Sequence, residues 1–319
     1  MRVSFVGGGS DLPVYYRRGH GSVVSTAIDR YIYITVNKKF DDLIRVTYSK
    51  TELVESVDQV EHNIIREALK MTGVERGVEV VYMGDIPLGS AGIGLGSSSS
   101  LAVGVLNALY AYTGRHVSAD RLAEKACEIE IDILGHPIGK QDQYIAAYGG
   151  FNFIRFNGDE TVFVDPIICA KETRMKLHRK LLLFYTGIAR ISSTILETQR
   201  ANIDENYRFL DEMVVLSERM RESIVNNNIT TFGELLHEGW EHKKKLTHNV
   251  SNNGINEYYE KARKAGAVGG KILGAGGGGF LLLFCEEDLQ VNVRKALSNL
   301  RESPFLFEPQ GSKIIYVSD

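Results

Sequence analysis

The run Pro87-Leu-Gly-Ser-Ala-Gly-Ile-Gly-Leu-Gly-Ser-Ser-Ser-Ser100 carries no charge, and the apolar helical pattern Leu101, Ala102, Val105, Leu106 starts directly behind it. Gly92, Gly94 and Gly96 let the backbone bend sharply and bring its N–H groups close to a ligand. A helix start adds N–H donors that the helix itself leaves unpaired, with a partial positive charge. A Gly/Ser loop feeding a helix is therefore a ready seat for a polyphosphate. The hydroxyls of Ser97 and Ser98 add possible contacts to phosphate or Mg²⁺. The plain alternative is a flexible loop before a serine-capped helix; the length of the run and its lack of charge weigh against it. The uncharged stretch continues to Gly114 but is no membrane span. Its first half is Pro, Gly and Ser, leaving about twelve mostly apolar residues where about twenty are needed.

Two further glycine clusters flank this run, Gly7-Gly8-Gly9-Ser10-Asp11 and Gly274-Ala-Gly-Gly-Gly-Gly-Phe280. Together the three hold twelve of the 32 glycines, so the glycine excess is localised and not compositional. There is no G-x-x-x-x-G-K-[ST] and no D-F-G or H-R-D set, which excludes the Walker-type loop and the protein-kinase pattern. Gly274, Gly276 and Gly279 satisfy G-x-G-x-x-G, but Phe280-Leu-Leu-Leu-Phe284 reads as a buried strand and not the helix a dinucleotide fold requires.

Around these clusters the first half alternates strands and helices, with strands at Arg2 to Val6, Ser22 to Val36, Ile44 to Ser49 and Gly77 to Met83. Asp58 with Glu61 forms a capping-box pattern before a helix carrying Ile64, Ile65, Ala68 and Leu69, and Ser118 caps a second helix ended by Gly135 and Pro137. A hairpin closes across Asn157-Gly158. After a strand at Leu181 to Tyr185 the chain becomes helical (Ser192 to Asn226, Thr230 to His248, Gly254 to Ala265). It then returns to β at Gly279 to Cys285, a helix from Glu287 to Leu300 and a last strand at Lys313 to Val317. With 319 residues, two domains are expected, 1–170 and 171–319.

Hydrophobic residues at 44% and charged ones at 24% exclude wholesale disorder. A net charge of -3 argues against nucleic acid as a general partner, while leaving room for a local basic pocket. Cys127, Cys169 and Cys285 are too scattered for a disulfide framework or a zinc site, so the expected setting is the cytoplasm, with no membrane contact. The oligomeric state is left open.

Two carboxylates invite chemistry. Glu130 lies near the end of the second capped helix, although Glu124, Glu128, Glu130 and Asp132 also read as a solvated acidic face. Asp142 follows in the Gly/Pro-punctuated stretch Gly135-His-Pro-Ile-Gly-Lys-Gln-Asp142, the kind of loop that positions functional groups. One carboxylate suits a phosphate-bound Mg²⁺, and another suits the proton of an acceptor hydroxyl.

The three clusters and this acidic pair resemble the GHMP kinases. Arg2-Val-Ser-Phe-Val-Gly7-Gly-Gly-Ser-Asp11 is similar to the family's first motif, Pro87 to Ser100 to its second, and Lys271 to Phe280 to its third. Gly139-Lys-Gln-Asp142-Gln143 is similar to a sugar-kinase element. The resemblance implies a two-domain α/β and α+β GHMP kinase fold. Its N-terminal domain would be ribosomal-protein-S5-domain-2-like with a left-handed βαβ crossover, and its C-terminal domain ferredoxin-like with added helices. It implies ATP and Mg²⁺ as cofactors. Pro87, Gly92, Gly94, Leu95, Gly96, Ser97, Ser98, Ser99, Gly276 and Gly277 would hold the nucleotide, and Ser98 and Glu130 the metal. Asp142 and Arg2 would be catalytic, and Gly8, Gly9, Ser10, Asp11 and Asp142 would meet the sugar.

Galactokinases carry Gly-Glu-His-x-Asp in the first motif, a departure from this chain. The form Gly-Gly-Gly-[Thr/Ser]-Asp-Leu-Pro, with Ala27-Ile-Asp29-Arg-Tyr31, is similar instead to family members acting on a phosphorylated heptose. That implies phosphorylation of the anomeric hydroxyl of D-glycero-D-manno-heptose 7-phosphate to the 1,7-bisphosphate. A fucose or galactose 1-kinase and a non-catalytic ATP- and sugar-binding sensor are the alternatives. A sugar phosphate needs a cationic seat. Arg17, Arg18, Arg30, Arg190 and Lys243 to Lys245 are candidates, with Arg190 and Lys244 preferred because their surroundings resemble family sequence near the substrate.

Overall fold

The computed structural model describes residues 1–86, 93–188 and 192–318. Strands of the first half are β1 (Arg2–Val6), β2 (His20–Ala27), β3 (Ile32–Lys38), β4 (Ile44–Thr47), β5 (Thr51–Val54), β6 (Val78–Gly84), β7 (Phe151–Asn157) and β8 (Val162–Pro166). The later strands are β9 (Leu181–Tyr185), β10 (Ala267–Ile272), β11 (Phe280–Cys285) and β12 (Arg301–Glu302). The helices of the first half are α1 (Pro13–Tyr16), α2 (Asn63–Thr72), α3 (Ser97–Tyr112), α4 (Ala119–Cys127) and α5 (Gln141–Tyr148). They are followed by α6 (Lys171–Arg179), α7 (Ser192–Ala201), α8 (Ile203–Val225), α9 (Ile229–Leu246), α10 (Asn253–Lys264) and α11 (Gln290–Ala296).

Two sheets form from the first half. One is antiparallel in the order β1-β2-β7-β8, and the other runs β3-β6-β4-β5, with β4 and β6 parallel across α2. The third has the order β10-β11-β9-β12 and all its pairings are antiparallel. Its strands follow β-α-β-β-α-β in the chain, with the helical run between β9 and β10, which is the ferredoxin-like arrangement. Every residue of β1 is buried although β1 is an edge strand, because the second half covers it. Val3, Phe5 and Val24 share one core with Met213 and Leu216 of α8, Phe232 of α9 and Phe284 of β11. A second core lies under α2 to α5, and a third between the ferredoxin-like sheet and α10 and α11. No helix among the described residues is long and apolar enough to cross a membrane.

Several local expectations are corrected. The stretch Ser22 to Val36 breaks at Ile28 to Tyr31 into two strands of different sheets. The capping box forms on Ser56 and Gln59 around a single turn, while α2 starts later at Asn63 and Asp58 pairs with Lys70 (2.8 Å). Ser118 does cap α4, accepting from the Arg121 N–H. Residues 313–317 form no strand. The chain before them instead returns to the first half, where Phe307 bridges Ile28 and the Ser312 N–H donates to the Ala146 carbonyl (2.9 Å). The apolar content of Ile314, Ile315 and Val317 reads as a strand, but all three are exposed and pair with no strand among the described residues.

Candidate active site

Arg2, on β1, is 4% exposed, and its backbone N–H donates to the Leu95 carbonyl (3.0 Å). Its guanidinium grips Asp142 through Nε to Oδ1 and Nη2 to Oδ2, both 2.6 Å, while Nη1 donates to the Gly94 carbonyl (2.6 Å). The planar fork meets the carboxylate at two points, which fixes direction as well as distance. Asp142 lies not in a loop but in the first turn of α5, where unpaired N–H groups favour an anion.

The same pair touches the start of α3. Gly96 caps this helix in the left-handed region (φ 69°), and no side chain caps it. A Cβ on Gly96 would stand 3.1 Å from Asp142 Oδ2 and 3.2 Å from Arg2 Cγ, so glycine meets both the backbone and the packing requirement. The N–H groups of the first turn, at Ser97, Ser98 and Ser99, which the helix itself does not pair and no described side chain caps, therefore stand beside the Arg2–Asp142 pair.

Glu130 reaches this region through a change of helix type. α4 runs into a π-helical turn, Glu128–Ile133, in which the Leu134 N–H donates to the Ile129 carbonyl five residues back (3.0 Å). Such widened turns recur at functional sites. Glu130 continues the buried stripe of Ala123, Ala126 and Cys127 and is completely buried, while Glu128 remains outside with Lys125 (2.5 Å). Glu130 Oε2 accepts from Gln143 Nε2 (2.6 Å), and Oε1 has no hydrogen-bond partner among the described residues. Burial pushes the carboxyl up to about 7, against the pull of the Ser99 and Ser98 hydroxyls and the Gln143 amide. His136 Nδ1 stands 4.0 Å from Oε1, but burial lowers its own pKa, so it adds little positive charge at neutral pH. An orphaned carboxylate oxygen beside a serine hydroxyl fits a divalent cation that takes its other ligands from phosphate and water. Among the described residues no cluster of three His, Cys, Asp or Glu side chains could hold a metal without such help.

Asp11 is the other buried carboxylate. It accepts from the Gly9 N–H (2.9 Å) and from the backbone and side-chain N–H groups of Gln141 (3.2 and 3.0 Å). Burial raises its pKa, and the charge of Asp142 adds to that, while these donors oppose it. Opposite lies Lys271 of β10, 2% exposed, whose Nζ donates to the Phe5 carbonyl (2.8 Å). The β1–β2 register slips between Ser4 and Val6, the irregularity in which the Phe5 carbonyl meets the lysine. Burial pushes the Lys271 ammonium down to about 7, with Arg2 adding to the shift and Asp11 opposing it.

Arg2, Asp142, Asp11 and Lys271 line one cleft between the two halves of the chain, while Glu130 and the start of α3 are not part of its wall. Its walls include Arg2, Ser4, Gly8, Gly9, Asp11 and Asp142 from the first half and Gln199, Lys243 and Lys271 from the second. Ser10 is turned away, its hydroxyl donating to the Gly7 and Ser22 carbonyls. Leu95 is a core side chain that contributes its carbonyl. Gly276 and Gly277 pack on Val250, whose carbonyl accepts from the Gly277 N–H (2.7 Å). Pro87, Gly92 and Arg190 lie outside the described residues. Lys244 pairs with Glu241 (2.8 Å) and is absent from the cleft wall, which Lys243 joins instead. Helical spacing carries this distinction, since position 243 continues the buried stripe Ile229, Phe232, Leu236, Gly239 and Leu246, which runs in alternating steps of three and four. Lys271 and Gln199 were missed; a lone charge in the strand Ala267-Val-Gly-Gly-Lys-Ile272 was the available signal for the first.

Comparison with known proteins adds the following. The description "GHMP kinases N terminal domain" matches residues 59–150, and "GHMP kinases C terminal" matches residues 220–302. The chain is 30% identical over 312 residues to D-glycero-alpha-D-manno-heptose 7-phosphate kinase of Campylobacter jejuni subsp. jejuni serotype O:2, covering 93% of this chain and 91% of that one. It is 26% identical over 348 residues to L-fucokinase/L-fucose-1-P guanylyltransferase of Bacteroides fragilis, covering 95% of this chain and 36% of that one. Its structure resembles that of a D-glycero-D-manno-heptose 1-phosphate kinase from Bacteroides thetaiotaomicron, with a TM-score of 0.79 and 26% identity over 99% of this chain and 98% of the other.

Proposed function

The chain belongs to the GHMP kinase family and is a small-molecule kinase that uses ATP, and we propose that it phosphorylates the anomeric hydroxyl of D-glycero-D-manno-heptose 7-phosphate, giving the 1,7-bisphosphate. One observation carries the reading: the open N-terminus of α3 abuts the Arg2–Asp142 pair across Gly96, so a phosphate bound at the helix end lies next to a fixed carboxylate. In this reading the Ser97 to Ser99 N–H groups hold phosphate oxygens. Asp142, locked by Arg2, orients the acceptor hydroxyl and takes its proton as the new O–P bond forms and the bond to ADP breaks. Arg2 keeps the carboxylate aimed and adds positive charge where the transferring group gathers negative charge. Glu130 and Ser98 would hold Mg²⁺, which when bound neutralises phosphate charge. Three free cysteines fit a cytoplasmic setting.

The sugar follows from the relatives and from the cleft. The two heptose kinases are named for monophosphates with the phosphate at opposite ends, so what they share is a heptose monophosphate. The fucokinase relative keeps L-fucose as a second reading. The test is ADP release in a coupled assay with heptose 7-phosphate, heptose 1-phosphate, L-fucose, galactose and mevalonate. Heptose 7-phosphate is expected to show the highest kcat/KM; a higher value for any other sugar overturns the assignment. No ADP release with any of the five returns the chain to the sensor reading.

A further inference from the structure

The three glycines Gly7, Gly8 and Gly9 are not equivalent. Gly7 and Gly9 have φ of 92° and 104°, in the left-handed region, and a Cβ on Gly7 would fall 2.0 Å from the Ser22 carbonyl oxygen. The backbone itself requires glycine at both positions. Gly8 is under neither constraint. A Cβ there would stand 3.4 Å from Gln141 Nε2 and 4.0 Å from Ser4 Oγ, both ordinary contacts with side chains. Gly8, Ser4 and Gln141 all line the cleft, so the missing side chain leaves space where these two polar groups converge.

Both groups lack a partner. Ser4 is 5% exposed, and neither its Oγ nor Gln141 Oε1 has a hydrogen-bond partner among the described residues, although both atoms are buried. Unpaired buried polar atoms are costly, so a ligand that pairs them is favoured there. Their place in the chain sets them beside the reacting pair. Ser4 is two residues from Arg2 on β1 and so shares its face of the strand, and Gln141 directly precedes Asp142 at the start of α5.

Donor and acceptor chemistry names the ligand group. The orientation of the Gln141 amide is fixed, because its Nε2 donates to Asp11 Oδ2 (3.0 Å), an oxygen that the Gln141 backbone N–H also meets (3.2 Å). Oε1 is therefore the end left over. An amide oxygen only accepts, whereas a serine hydroxyl donates or accepts. A phosphate dianion or a carboxylate brings acceptors alone and cannot satisfy Oε1. A neutral hydroxyl satisfies both atoms, donating to Gln141 Oε1 and accepting from Ser4 Oγ. We propose that Ser4 and Gln141 together bind one hydroxyl of the sugar, other than the one Asp142 activates, and that Gly8 keeps open the space it enters. The proposal rests on the sugar-kinase reading above and adds the side chains that recognise the sugar's hydroxyl pattern.

The test compares Ser4→Ala, Gln141→Leu and Gly8→Ala with the unaltered enzyme. Each is assayed on heptose 7-phosphate and on its monodeoxy forms lacking the 2-, 3-, 4- or 6-hydroxyl. Ser4→Ala is expected to raise KM for the parent sugar about 5- to 10-fold, the size of a lost neutral hydrogen bond, with kcat and KM for ATP within about twofold. Because it removes a buried hydroxyl that has no partner, its urea midpoint should equal or exceed that of the unaltered enzyme, which a merely structural serine would not allow. Gln141→Leu should raise KM at least as far. On one and the same deoxy sugar both substitutions should lose their effect, since the hydroxyl they bind is absent. Gly8→Ala should raise KM for the parent sugar about 10-fold without lowering the urea midpoint. An unchanged KM in Ser4→Ala, a parallel rise in KM for ATP, or an effect that persists on every deoxy sugar overturns the pair. Where Gln141→Leu melts early, Ser4→Ala decides alone. An unaltered enzyme that prefers L-fucose defeats the heptose reading, and the same comparison on L-fucose and its deoxy forms then decides the pair.

Discussion

Two glycine runs that look alike in the chain, Gly94 to Gly96 and Gly274 to Gly279, serve different physical ends. Gly96 lets a charged pair approach a helix terminus and leaves the terminus open. The later run lets backbones meet. A Cβ on Gly279 would stand 2.5 Å from the Ile93 carbonyl and one on Gly276 2.6 Å from the Val250 carbonyl, and the Gly279 N–H donates to Ile188 (3.1 Å). The first run gives a charged pair room at a helix start, whereas Gly279 of the second brings the backbones of the two halves together and Gly274 and Ala275 line the cleft. Glycine content shows that something comes close to the backbone but not whether it is a ligand or another strand of the same chain.

Three substitutions probe this contrast. The largest effect is expected on the ligand side. Asp142→Asn should lower kcat about a thousandfold, in the range for loss of a positioned acid or base, while ATP still binds. Stopped-turnover nucleotide binding beside steady-state kinetics checks it, and near-normal turnover would remove Asp142 from catalysis. Next comes the paired glycine test. Gly279→Ala, with φ at 84° and a backbone oxygen in the way, should cost about 3 kcal/mol of stability. Gly96→Ala meets side-chain atoms at longer range and should lose only about 1 kcal/mol. Its turnover should nevertheless fall about 100-fold, because the Arg2–Asp142 pair must shift. Denaturant unfolding and kinetics on both variants separate the two roles, and equal stability losses would erase the contrast.

The smallest effect concerns Lys271, which binds the Phe5 carbonyl across the join. Its folded pKa is about 7 against about 10.4 for an unfolded lysine, so between these values the unfolded chain holds more protons. Its contribution to stability therefore rises with pH from about 7 to 10 and is least favourable below 7, where both states are charged. Lys271→Met should flatten the rise in urea midpoint between pH 7 and pH 9.5. An unchanged slope would mean that the lysine is not held in this way.

The positions of Arg2, Asp142 and Asp11 at the cleft were legible because they stand at fixed spacings from glycines, and backbone bends leave that mark in the chain. Glu130 was ambiguous for a physical reason. It stands among Glu124, Glu128 and Asp132 in the chain, so it reads as part of an acidic face, yet its spacing of four from Ala126 and seven from Ala123 sets it on the buried stripe. Lys243 was separable from Lys244 because it continues the stripe Ile229, Phe232, Leu236 and Gly239, whereas Gln199 has no mark beyond being polar. The tail at 313–317 has the apolar content of a strand but pairs with none among the described residues, and pairing is a property of the partner.

The sequence by itself determined the local grammar: a Gly/Ser-rich run before α3, a capped α4, a helical insertion between β9 and β10, and the family to which these belong. Those features arise from interactions within a few residues, so the chain records them directly. The family resemblance implied that Arg2 pairs with Asp142, and the tertiary structure supplied the two-point geometry of that pair beside the start of α3. It also decided that Glu130 is buried with an unpaired oxygen, and that Lys243, Gln199 and Lys271 face the same cleft from the other half. Each of these depends on groups between about 30 and 270 positions apart in the chain, brought together by the burial of β1 between the two halves.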